Sequence, residues 1–300
     1  MKLLVIGSLN MDLVVNCDRR PNPGETVFGT GFNTVCGGKG SNQAVAAAKL
    51  GADVKMLGAV GNDVFGQALI DNLKANNIGA EGVEINSSSS GIAVITVSCG
   101  DNTIILNKGA NAAVTKDTID RHIDLIKWAD IVLMQFEIPL ETVLYAAKTA
   151  KQHGKTVVIN PAPICDIPNE LLNYCDLLIP NEHEAAGILG YEVTDQNAEK
   201  AVIDLVGKGV RQALITLGSS GSIYSDGKFT YRQGIHKTEV VDTTAAGDSF
   251  AASFLIARSE DKSIPESMAF AATVSGIVVS RPGASTSIPT RQEVDSTFLN

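Results

Sequence analysis

The sequence predicts an α/β protein: a mostly parallel sheet with helices on both faces, accompanied by a small antiparallel β lid. Two observations carry that class. Short, β-rich apolar runs alternate with stretches whose apolar residues recur at the helical period, which is the pattern of βαβ units. Two further segments, one rich in Pro and Gly and one of alternating β-branched residues, interrupt this rhythm without adding helices of their own.

Residues 2–6 open the chain as a buried strand. Their apolar run is too short for a signal-peptide core, and Asp12 follows with no small-residue cleavage site. An insertion at about 12–36 comes next, carrying Pro21, Pro23, Gly24, Gly29 and Gly31. Helix 41–50, strand 54–60 and helix 66–76 resume the alternation. A second insertion at 91–107 reads as a β-hairpin, with strands 93–97 and 103–106 around Gly100-Asp101-Asn102. Strand 131–135, helix 140–153, strands 156–159 and 177–179, helix 198–208, strand 213–216 and helix 247–258 complete the order. Parallel strands need helical crossovers and are covered on both faces, so one domain over 1–300 is expected. The two insertions are expected to fold over the carboxyl ends of its strands as a lid.

Composition removes several classes of function. Hydrophobic residues make up 44% and charged residues 19%, so the chain folds and is not a disordered tail. The net charge is −9 with no long basic cluster, which argues against nucleic-acid binding. No run of 18 apolar residues is present, so no membrane span is expected. Cys17, Cys36, Cys99, Cys165 and Cys175 have neither C-x-x-C spacing nor disulfide density; they read as reduced, mostly buried thiols of a cytoplasmic protein.

Familiar phosphate and metal motifs fail on spacing. Gly37-Gly38-Lys39-Gly40-Ser41 lacks the first glycine of a P-loop, because Asn33 stands there. Gly58, Gly61 and Gly66 miss the dinucleotide pattern, and His183-Glu184 has no second histidine. The richest stretch is 240–250, where Val240 and Val241 are expected to end a strand before the apolar helix at 247–258. Backbone N–H groups of Ala245, Ala246 and Gly247 would then be free at a helix N-terminus, a site for an anion. Asp248 lies in that positive end, either as a functional carboxylate or as a cap. Asn181 and Glu184 stand three apart at another helix start, suited to water around Mg²⁺ or to a capping box. Thr216-Leu217-Gly218-Ser219-Ser220-Gly221 ends a strand in a small-residue turn that could floor a nucleotide or form a hairpin.

Asn10-x-Asp12, Gly37-Gly38-Lys39-Gly40-Ser41-Asn42-Gln43, Glu137, Asn160-Pro161-Ala162, Asn181-x-x-Glu184, Thr216-x-Gly218-x-x-Gly221 and Asp242-Thr243-Thr244-Ala245-Ala246-Gly247-Asp248 occur in this order. In that order and content the chain resembles the ribokinase-like carbohydrate kinase family, from its first strand to Pro289. One departure is Ser41, where alanine is common. The resemblance implies a doubly wound sheet with a β lid and ATP-dependent phosphorylation of a sugar, D-ribose first, at its C5 hydroxyl. Another pentose, a hexose such as fructose, a nucleoside, or a non-catalytic sensor are the alternatives. It implies Asp248 as base and Ala245, Ala246 and Gly247 as anion hole, with Asn10, Asp12, Gly38, Lys39, Asn42 and Glu137 around the sugar. Asn181, Thr216, Gly218 and Gly221 would approach ATP, and Glu184 would hold Mg²⁺ through water. A K⁺ site would draw on Asp242, Thr244, Val278, Arg281, Gly283 and Ser287. Lys39 would neutralise phosphate or serve only as a solvated loop lysine. Alternating Val-Ile-Thr positions in the lid predict open edges that pair in a homodimer.

Overall fold

Leu3, Leu4, Val5 and Ile6 are all fully buried, and successive side chains of a strand point to opposite faces. Leu3 and Val5 therefore join one hydrophobic core while Leu4 and Ile6 join another. A central strand that feeds two cores must be covered by helices on both sides. The computed structural model, which describes residues 1–99 and 101–298, has that layered form.

The chain runs β1 (Lys2–Ile6), β2 (Asn10–Asn16), β3 (Gly31–Gly37), α1 (Lys39–Lys49), β4 (Asp53–Gly61), α2 (Val64–Ala75), β5 (Gly79–Asn86), β6 (Gly91–Ser98) and β7 (Asp101–Asn107). It continues through α3 (Lys116–Arg121), α4 (Ile123–Trp128), β8 (Ile131–Met134), α5 (Leu140–Gln152), β9 (Thr156–Ile159), α6 (Asn169–Tyr174), β10 (Leu177–Leu178) and α7 (Glu182–Leu189). The last third holds α8 (Ala198–Gly207), β11 (Ala213–Thr216), β12 (Ser222–Ser225), β13 (Thr230–Gln233), α9 (Ala246–Ser259), α10 (Ile264–Val279) and α11 (Arg291–Phe298).

Among the described residues the large sheet has the order β13-β12-β11-β10-β9-β8-β1-β4-β5. It is parallel from β5 to β11, and β12 and β13 return antiparallel. From β1 the chain winds first toward β4 and β5, then comes back to β8 on the other side of β1. That reversal is a topological switch point, and it leaves a crevice beyond the carboxyl ends of β1 and β8. One core packs α1, α9 and α10 against the sheet; the other collects α5 and α8.

The smaller sheet has the order β3-β2-β6-β7. Its two antiparallel pairs, β2 with β3 and β6 with β7, meet through a parallel β2–β6 pairing. The first pair begins at Asn10 and closes at Gly37, so the first insertion reaches slightly beyond 12–36 at both ends. The expected hairpin turn is shifted: Ser98 pairs with Asp101, so the link is Cys99-Gly100, and Asp101 and Asn102 belong to β7. Gly100 itself lies outside the described residues. Cys99 adopts φ +53° there.

Two further expectations are corrected. Val240 and Val241 do not end a strand: both are exposed, and the N–H groups of Val241 and Asp242 donate to Val279 O at the end of α10 instead of to a strand partner. All five cysteines are free as expected, but only Cys17 and Cys175 are buried, because Cys99 stands at the hairpin tip and Cys165 in a loop. Among the described residues no helix is long and apolar enough to cross a membrane.

Candidate active site

Residues just past β1 and β8 face the crevice at the switch point. Gly38, at the N-cap of α1, has φ +93°, and a Cβ there would stand 2.8 Å from the Asn10 nitrogen. Only glycine takes that conformation at that distance without strain. The turn brings the first residues of α1 against the ends of β1 and β8. Glu137, after β8, accepts hydrogen bonds from Asn10 Nδ2 and from the Lys39 N–H, each at 3.2 Å, and from the Ser8 hydroxyl. Asn10 Oδ1 accepts in turn from Asn111 Nδ2 at 2.8 Å, which fixes the amide's orientation.

Asp12, on lid strand β2, is buried beside this cluster with no hydrogen-bond donor among the described residues. Burial, reinforced by Glu137 and Asp248, pushes its carboxyl up to about 7. For Lys39 burial works to lower the ammonium, but Asp248, Glu137 and Glu184 outweigh it and hold the charge above its ordinary range. It is thus no solvated loop lysine: it is the first residue of α1 and lines the cleft.

Opposite stands the start of α9. Ala245, its N-cap, takes the left-handed conformation at φ +61°, a strained choice for a residue with a Cβ. The Ala246 N–H is not free, since it donates to Thr243 O at 3.2 Å, so the expected trio of open amides is reduced. The N–H groups of a helix's first turn, here including Gly247 and Asp248, have no intrahelical acceptor and face outward from the positive end of the dipole. Asp248 is no cap. Its carboxylate turns toward α1, where Oδ2 accepts from Asn42 Nδ2 at 3.1 Å and Oδ1 from Gln43 Nε2 at 3.0 Å. Asn42 Oδ1 is buried with no partner, so a bound hydroxyl is the donor that would satisfy it.

One cleft runs from Asp248 and Lys39 past Ala245, Gly247 and Thr243 to Asn160, Asn181, Glu184 and Thr216. Asn181 and Glu184 form a true capping box: Glu184 N donates to Asn181 Oδ1 at 2.8 Å, and Asn181 N to Glu184 Oε2 at 2.9 Å. That leaves Glu184 Oε1 toward the cleft. Burial raises this carboxyl, aided by Asp248 and Glu182 and opposed by the cap bond and Lys39. Of the two expectations for this pair, the capping box is the one its hydrogen bonds form. Among the described residues no group of three His, Cys, Asp or Glu could hold a metal. One carboxylate oxygen of Glu184 suits a hydrated cation carried by phosphate oxygens.

Gly218 and Gly221 lie in the turn after β11 and do not line that cleft. Gly221, at φ +89°, is there for the hairpin, because a Cβ would meet Gln233 O at 2.1 Å. Behind the α9 start, Asp242 Oδ1 accepts from Thr244 N and Oγ1, and Oδ2 from Gly283 N at 2.9 Å. Those bonds outweigh burial and hold Asp242 ionised below the usual range. Val278 lies in the last turn of α10 and Arg281, Gly283 and Ser287 in the segment that follows it, and Val278 O accepts from Arg281 N at 3.1 Å. Both carboxylate oxygens of Asp242 are thus occupied by donors from Thr244 and Gly283, which ties the loop before α9 to the segment after α10. Ser8, Gln43, Asn111 and Gln135 were not anticipated. Gln43 and Asn160 stood inside motifs without a role; Ser8 and Gln135 end apolar strands in polar residues, which is a usable signal, and Asn111 had none.

The profile of the pfkB family carbohydrate kinases matches residues 1–291. Ribokinase from Bacillus subtilis is 42% identical over 294 residues, covering 98% of each chain. Deoxyribokinase from Salmonella typhi is 35% identical over 301 residues, covering 98% of this chain and 97% of its own. The structure of Arabidopsis thaliana ribokinase complexed with ribose and ATP superposes with a TM-score of 0.92 at 36% identity, covering 99% of this chain and 98% of that one. The chain belongs to the pfkB family of carbohydrate kinases.

Proposed function

We propose that this carbohydrate kinase transfers the γ-phosphoryl group of ATP to the C5 hydroxyl of D-ribose. The observation that carries the reading is Asp248, a buried carboxylate in the first turn of α9, held by Asn42 and Gln43 between the Asn10–Glu137 cluster and the cleft lined by Asn181 and Glu184. Phosphoryl transfer needs in-line positioning, charge neutralisation and a proton acceptor rather than covalent work by the protein. Asp248 takes the hydroxyl proton as the oxygen attacks. The start of α9, through the N–H groups of Ala245 and Gly247, receives the transferring phosphoryl group, and Lys39 offsets its charge. Asn10, Asp12, Gly38, Asn42 and Glu137 surround the sugar. Asp12 and the free Asn42 Oδ1 are the acceptors awaiting its hydroxyls.

ATP lies along Asn181, Thr216 and the turn at Gly218 and Gly221. Glu184 would hold Mg²⁺ through water, and the ion would supply charge neutralisation at the phosphates. Asp242, Thr244, Val278, Arg281, Gly283 and Ser287 would hold K⁺, whose charge would stiffen the anion hole. Edge strands β3 and β7, with exposed Phe32, Ile104 and Ile105, support a homodimer through the lids. Five unpaired thiols support a cytoplasmic enzyme.

The test is an ADP-release assay over pentoses, hexoses and nucleosides. D-ribose is expected to have the highest kcat/KM, with 2-deoxyribose lower by roughly 10-fold or more, because a pocket built to pair a hydroxyl rejects the analogue without it. A preference for 2-deoxyribose would favour the second reading, a deoxyribokinase, which the Salmonella relative supports. Release of ADP with none of them would overturn the enzymatic reading.

A further inference from the structure

Consecutive residues of a helix point about 100° apart, yet Asn42 and Gln43 both reach the same carboxylate, one at each oxygen. Asn42 lies at the sugar side of the crevice. Gln43 is fully buried and does not line the cleft. Its amide is fixed at three points: Nε2 donates to Asp248 Oδ1 and to Asn160 Oδ1, each at 3.0 Å, and Oε1 accepts from Gln135 Nε2 at 2.6 Å. Asn160 is oriented in turn by its Nδ2, which donates to Ile179 O at 2.7 Å. Gln135 has room only because residue 7 is glycine, since a Cβ there would stand 2.0 Å from Gln135 Oε1. A flipped Gln43 would set its oxygen against two acceptors and lose all three bonds, so one orientation is imposed.

We propose that Gln43 is a positioning residue for Asp248. Resting on the reading of Asp248 as proton acceptor, a buried relay of amides from the ends of β8 and β9 holds that carboxylate in the plane from which it meets the substrate hydroxyl. Gln43 touches neither sugar nor nucleotide; it acts only through Asp248. A displaced carboxylate costs rate in the chemical step and leaves ground-state binding intact.

The test is a double-mutant cycle of Gln43→Leu and Asp248→Asn, with kcat and KM for D-ribose and ATP, sugar Kd by calorimetry, and thermal melting to verify folding. Gln43→Leu is expected to lower kcat by about 10- to 100-fold while sugar Kd moves less than about 3-fold. In the Asp248→Asn background the same change is expected to lower kcat by less than about 2-fold, because the group it positions no longer accepts the proton. Equal losses in both backgrounds, or a rise in KM with kcat unchanged, would overturn the proposal. If Gln43→Leu does not fold, Gln135→Leu removes only the donor to Gln43 Oε1 and is expected to lower kcat by about 3- to 10-fold with KM unchanged; wild-type kcat would overturn it. Near wild-type turnover of Asp248→Asn would overturn the base assignment and this proposal together. Loss of turnover in Asp248→Asn beside wild-type kinetics in Gln43→Leu would overturn this proposal alone.

Discussion

Asp248 and Glu137 stand on the floor of the crevice, at the start of α9 and the end of β8. Each accepts hydrogen bonds from at least two groups before any ligand binds. Asp12 faces them from lid strand β2, equally buried, with no donor among the described residues, and its carboxyl is pushed up to about 7. The difference is one of preorganisation. Groups that must be in place during the reaction are fixed by the protein, and a group left unsatisfied gains its partner only when the sugar arrives. On the proposed reading the proton acceptor belongs to the floor, and the lid contributes a sugar-facing carboxylate left without a donor among the described residues.

The most forceful way to break that division is Asp248→Asn, which keeps the size and removes the proton acceptor. We predict that kcat falls by about 10²- to 10⁴-fold while sugar Kd by calorimetry changes little; a purely binding defect would erase the contrast. Asp12→Asn should do the reverse, weakening sugar binding by about 10-fold or more with kcat at saturation nearly kept.

Asp12 also makes a prediction about stability. Its carboxyl ionises near 3.8 in the unfolded chain and at about 7 when folded, so the folded state retains a proton that the unfolded state has lost across that window. Stability without ligand therefore falls as pH rises from about 4 to about 7, by an amount on the order of 4 kcal/mol. Asp12→Asn should accordingly raise Tm at pH 8 and leave it nearly unchanged at pH 4. A Tm lowered at pH 8 would show that the lid carboxylate is satisfied after all.

Replacing Na⁺ by K⁺ should raise the rate a few-fold through the floor, and Asp242→Asn should abolish that difference without moving sugar Kd; equal rates in both salts would remove the ion from the account. The smallest effect is at Ser41, whose buried hydroxyl has no partner. Ser41→Ala should raise Tm slightly, by relief of about 1 kcal/mol, with kinetics unchanged; a lowered Tm would mean the hydroxyl has a bound partner.

The floor was far more legible in the sequence than the lid. Strands such as β1 and β9 are buried on both faces and read as unbroken apolar runs, and α1, α5 and α9 carry the helical period. β2 and β3 were hidden because their polar ends and the Pro- and Gly-rich segment between them break the alternation, and β12 and β13 because Ser222, Ser225, Thr230 and Gln233 leave no apolar run to read. Val240 and Val241 misled in the opposite sense: β-branched residues read as strand even where the backbone pairs with a helix end. Of the site, Asp248, Lys39, Asn42 and Glu137 were singled out through the family resemblance, and the structure brings them together around one crevice. What no motif could convey was orientation, such as Asp248 turning from its own helix to α1, because that depends on the contact between α1 and α9. Gln135 and Ser8 were missed because their roles arise only where β1 and β8 lie side by side.

The hydroxyl presented to Asp248 under α9 is, on the proposed reading, the primary one at C5 of the sugar. Carbon and phosphorus NMR of the product formed from D-ribose and ATP tests it directly. The account predicts phosphate on C5, with the C5 resonance split by phosphorus; phosphate on C1 would contradict it and reverse the sugar between floor and lid.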